Sequence, residues 1–186
     1  NFQGLLDGAQ TLSLVAGAGP VNFGGIVGGV SRLGAVTIAS AKDVSLAGAF
    51  SAASLTQSAG TGITSISGPL DTSALAGVNL TTYGISVDAS VSTAATSLGI
   101  VRLNAGAGGM TITALGDINS DGAVSLFAAG PGITSAGDIT TNEANVLVQN
   151  KFMMDGSVSI STGGTGAGDI TFGNTINGES DLALNA

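Results

Sequence analysis

Ile112-Thr113 is followed by Gly116-Asp117-Ile118, and 21 residues later Ile133-Thr134 is followed by Gly137-Asp138-Ile139. Within Met110–Gln149 each copy then runs into a short strand-like stretch, Val124-Ser125-Leu126 in the first and Val146-Leu147-Val148 in the second. A period of this length is too short to fold alone. It buries its apolar side by stacking on its neighbours, which is the logic of a solenoid. Three short strands per period, parted by glycine-bearing corners, make one coil of a parallel β-helix.

The same pattern extends in both directions. Leu12, Val36, Leu55, Val78, Val101, Val124, Val146 and Leu182 each open a strand-like unit, at steps of 24, 19, 23, 23, 23, 22 and 36 residues. Leu12-Ser13-Leu14 shows the local rule, with leucines inward and the serine outward at period two. Leu12, Val36, Val78, Val101, Val124, Val146 and Leu182 are therefore expected to stack as one core column. Asp7-Gly8 and Gly28-Gly29 mark corners where the backbone needs positive φ. The long last step holds Lys151–Gly156 and Gly163–Gly168, read as irregular excursions at 151–168 with Val158-Ser159-Ile160 between them. The expectation is an all-β chain: one right-handed parallel β-helix over 1–186, with about seven or eight coils of roughly 22 residues. The stretch from Thr171-Phe172 to Ala186 also matches Asn1-Phe2 to Ala16 without a gap, and reads as the start of a next unit in a longer tandem array.

Composition narrows the chemistry. The chain has 186 residues, 31 of them glycine, with 9% charged and 4% aromatic residues. Gly, Ser, Thr and Val are abundant and helix formers scarce, which opposes a helical fold. Four basic residues against twelve acidic ones give a net charge of −8, and Arg32, Lys42, Arg102 and Lys151 form no stripe. Nucleic acid is therefore not an expected partner. Apolar runs are only a few residues long, so no membrane insertion by a helix is expected. With no cysteine and no histidine, disulfides and thiolate or imidazole metal sites are excluded.

Gly116-Asp117, Gly137-Asp138 and Gly168-Asp169 recur as a unit, and stacked aspartates invite a calcium reading. Calcium-binding β-rolls use Gly-Gly-x-Gly-x-Asp, whereas Gly163-Gly164-Thr165-Gly166-Ala167-Gly168-Asp169 sets its Asp one position late. These six residues read instead as structural corners, the carboxylates accepting their own backbone N–H groups. Asp117 and Asp138, one coil apart, could meet the roughly 5–9.5 Å separation of a glycosidase pair. Such enzymes also need basic partners or aromatic sugar platforms. Here Trp is absent and Tyr83 is the sole tyrosine, so no enzyme activity, catalytic residue, metal or cofactor is expected. Gly106–Gly109 lacks the Lys-Ser/Thr of a phosphate loop. The phenylalanines read as inward core residues. Thr111-Ile112-Thr113 is the one Thr-x-Thr, too little for an ice-binding ladder.

Over its whole length the chain resembles the repeat regions of filamentous-haemagglutinin-like bacterial surface proteins. Leu12-Ser13-Leu14-Val15-Ala16-Gly17, Val101-Arg102-Leu103-Asn104-Ala105-Gly106, Gly116-Asp117-Ile118 and Ile170-Thr171-Phe172-Gly173 carry the resemblance. The family's Asn-Pro-Asn-type secretion motif is not in this chain. The resemblance implies export across a bacterial envelope and a place in a surface fibre or giant adhesin. The expected partner is the protein itself, through end-to-end or tandem stacking. The alternative is a cell-surface glycan, bound at Lys151–Gly156 or Gly163–Gly168; a β-helix polysaccharide lyase or hydrolase ranks below both.

Overall fold

The computed structural model describes residues 1–94, 98–163, 166 and 168–186. Twenty short strands and no helix occur among them, and every strand pairing is parallel. Each strand pairs with strands about one coil away in sequence, so the chain winds as a β-solenoid of about seven turns. Three faces follow one another around each turn. Face A begins at Leu12–Val15, face B at Val21–Phe23, and face C at the bridges joining Leu6, Val27 and Phe50.

The rungs of face A stack Leu12, Val36, Leu55, Val78, Val101, Val124, Val146 and Ile170 directly over one another. Their spacing of 24, 19, 23, 23, 23, 22 and 24 residues is regular to the end. Leu182 is not in this column. It sits over Val158 on face C, and Ile170 supplies the eighth rung of face A. The sequence step of 36 residues was one coil plus the distance between two faces.

Faces B and C are built mostly from three-residue strands with an in-out-in pattern, which buries both ends of each rung. Face B stacks Val21, Val44, Thr64, Ile85, Met110, Ile133, Phe152 and Ile176. Face C stacks Leu6, Val27, Phe50, Leu70, Val91, Ile118, Ile139, Ile160 and Leu184. All three columns face one continuous core. Burial of each Leu, Ile, Val or Phe contributes about 1.5–3 kcal/mol, so the core grows in proportion to the number of coils.

Lys151–Gly156 is not an excursion. Phe152–Met154 is an ordinary face B rung between Ile133–Ser135 and Ile176–Gly178. Of the glycine run Gly163–Gly168, residues 164, 165 and 167 lie outside the described residues. The match between the chain's two ends also fails to align faces. Phe2 bridges Phe23 on face B, whereas Phe172 pairs with Val148 on face A. Leu12-Ser13-Leu14 lies on face A and its counterpart Leu182-Ala183-Leu184 on face C. The likeness belongs to coils in general and does not mark equivalent positions of a tandem unit.

The repeated phrase in Met110–Gln149 is stacked with a shift. Ile118 lies under Ile139, as the phrase requires, but Ile133 lies over Met110 and not over Ile112. Two surplus residues in the lower coil account for the difference. They leave the wall at Ala114-Leu115, where Leu115 is 76% exposed.

Candidate functional site

The B–C corner follows one rule in the first three coils. Ala47 and Gly48 both donate to the Phe23 carbonyl one coil below, and Ser67 and Gly68 both donate to that of Leu46. This brings the backbone of one coil down onto the next. A Cβ on Gly25 would press into the Gly4 carbonyl, on Gly48 into that of Gly25, and on Gly68 into that of Gly48. These glycines are required for space. By contrast Gly8 (φ 115°) is required for conformation alone, and Gly28 (φ 67°) for both reasons, since a Cβ there would also press into the Ser51 carbonyl.

Gly116, Asp117, Gly137 and Asp138 all occupy this B–C corner, between strands of faces B and C. Their carboxylates do not close on their own backbone. Asp117 Oδ1 accepts the N–H of Asp138 at 3.0 Å, and Asp138 Oδ1 accepts that of Ser159 at 2.7 Å. Each aspartate therefore ties its coil to the next one up. Asp7 does the same for Val30 and Ser31, and Asp43 for Ile63. Gly168 and Asp169 belong to another corner, where the chain passes from face C to face A, and there Asp169 N–H donates to Asn145 Oδ1 at 2.8 Å. One oxygen of each carboxylate, Asp117 Oδ1 and Asp138 Oδ1, is thus engaged in holding coils together. Among the described residues, no three His, Cys, Asp or Glu side chains group so as to hold a metal ion.

Hydroxyl side chains follow face C on its inside. Thr72, Thr93, Ser120, Thr141 and Thr162 form a buried column behind the apolar one. Thr93 and Ser120 both donate to the Gly99 carbonyl at 2.9 Å, and Thr141 donates to that of Ala144. Beside them Asp121, 4% exposed, accepts from Leu98 N–H at 2.7 Å and from Asn142 Nδ2 at 3.1 Å. Thr72 Oγ1 and Thr162 Oγ1 have no partner among the described residues. An open cleft of about 410 Å³ runs along the outer side of this column, past Asn119, Asp121, Thr140 and Asn142.

Compared with known protein families, with characterised proteins and with solved structures, this chain matches none. Its candidate sites therefore stand on geometry alone.

One further surface carries chemistry: the outer surface of face A, where Arg102, Asn104, Ser125, Phe127 and Gln149 line a cleft of about 400 Å³. Phe127 corrects the inward reading of the phenylalanines. Phe2, Phe23, Phe50, Phe152 and Phe172 belong to the core or pack against it, while Phe127 stands outside between buried Leu126 and Ala128. The alternation Val124-Ser125-Leu126-Phe127-Ala128 already held this signal, because it sets Phe127 in phase with Ser125.

Proposed function

We propose that the chain is a structural module of an extracellular bacterial fibre or giant adhesin, and that it lengthens a stalk by coil-on-coil stacking. This is the role implied by its resemblance to filamentous-haemagglutinin-like repeat regions. The observation that carries the reading is the continuity of three parallel columns, each stacked in register from coil to coil. Each coil of this kind extends every column and every row of hydrogen bonds at once. The carboxylates at the B–C corner add axial links in the same direction. In such a module the length of the rod is the working property. Each coil adds about 4.8 Å along the axis, and pulling along the axis loads all three strand stacks together.

Electron microscopy of the native cells, with gold-labelled antibody raised against this chain, tests the proposal. Label distributed along surface filaments one solenoid wide is the expected result. Label confined to the cell interior, or to compact surface particles, would overturn it.

A further inference from the structure

We propose that the outer surface of face A binds a carboxylate-bearing oligosaccharide across Arg102, Phe127 and Gln149. This site is independent of the stalk role and lies on face A, whereas Lys151–Gly156, one of the two stretches expected to bind glycan, holds a rung of face B.

Arg102 is exposed between buried Val101 and Leu103, so its guanidinium is held on the outer surface by the strand's alternation. The two ion pairs among the described residues use Arg32 and Lys42, and neither involves Arg102. In a chain with twelve acidic residues and four basic ones, that guanidinium has no ion-pair partner among the described residues. No residue lining the cleft is acidic. Arg102 is thus the charged side chain among the cleft's lining residues, and the planar fork of Arg suits a carboxylate.

The rest of the cleft supplies what a sugar ring requires. Phe127 lies one coil above Asn104, and Gln149, which follows Val148 in the next rung, lies one coil above Phe127. Ser125 lies directly above Arg102. Two outward columns thus run side by side, one with guanidinium and hydroxyl, the other with amide, ring and amide. A half-buried Phe on a strand's outer side offers an apolar face for sugar C–H groups. Asn104 and Gln149 on either side of it each offer a donor and an acceptor for hydroxyls. The coil rise of about 4.8 Å is close to the length of one pyranose unit. Successive rungs can therefore address successive sugars.

The test is a heteronuclear NMR titration of the chain with trigalacturonate, and with uncharged cellotriose as the comparison. Trigalacturonate is expected to shift the amides of Arg102–Ala105, Val124–Ala128 and Gln149 saturably, and cellotriose to do so much more weakly. Arg102→Gln is expected to weaken trigalacturonate binding about tenfold, the worth of one charge-assisted hydrogen bond. Phe127→Ala is expected to weaken it while leaving the fold intact, since both side chains are external. Thr134→Ala, on the outside of face B, serves as the control and leaves binding unchanged. No shift, shifts on another face, equal affinity for cellotriose, or full affinity in Arg102→Gln would each overturn the proposal. Neither variant touches the core columns, so filament labelling is judged separately from sugar binding.

Discussion

At the scale of the residue, the corner glycines show that a requirement can come from the neighbouring coil rather than from local conformation. Gly4 and Gly48 hold comparable places at the B–C corner, in Phe2-Gln3-Gly4 and Leu46-Ala47-Gly48. A Cβ on Gly48 would meet the Gly25 carbonyl below it, whereas a Cβ on Gly4 would have nothing within 4 Å. Gly48→Ala is expected to cost about 1–3 kcal/mol in urea unfolding, in the range of a forced backbone shift. Gly4→Ala stays within about 0.5 kcal/mol. Equal losses would show that the glycine is needed for its own conformation.

At the scale of the element, the strand pattern was legible because inward and outward positions alternate in nearly every rung. Leu12-Ser13-Leu14, Val124-Ser125-Leu126 and Val146-Leu147-Val148 are face A rungs in the sequence and in the structure. Face identity was harder to read. An apolar-x-apolar triplet looks the same on all three faces, so Leu182-Ala183-Leu184 was aligned with face A while it lies on face C. The corner aspartates were legible as corner residues, but their partners were not, because a contact 21 residues away leaves no local trace. The hydroxyl column behind face C was likewise hidden among many other threonines. It contains a testable weakness, since Thr72 Oγ1 is buried with no partner among the described residues. Thr72→Val keeps the shape and removes that polar atom. It is expected to raise stability by about 1 kcal/mol, read as a higher urea midpoint at unchanged slope. A loss of that size would place a bound water or an unseen partner on the hydroxyl.

At the scale of the whole molecule, stability is a sum over coils and their contacts, so position along the axis sets the cost of a defect. Val124 is 1% exposed with a rung on either side, Val101 below and Val146 above. Val124→Asp strands a charge in that stack and is expected to cost about 3–5 kcal/mol. Leu182→Asp places the same charge in an end rung that is only partly buried and paired on one side. It is expected to cost less than half as much and to leave hydrogen exchange at Val101–Leu103 unchanged. Equal costs in calorimetry would mean that the chain unfolds as one indivisible block.

The outward turn at Ala114-Leu115 bears on how such a chain changes over generations. Two surplus residues leave the wall there, and the rungs before and after them remain in register. Insertions and deletions at a corner therefore need not disturb the interior, while a single-residue change inside a rung would turn its side chains over. Descent can thus edit the surface of this wall through its corners, adding or trimming projections, and leave the masonry within them untouched.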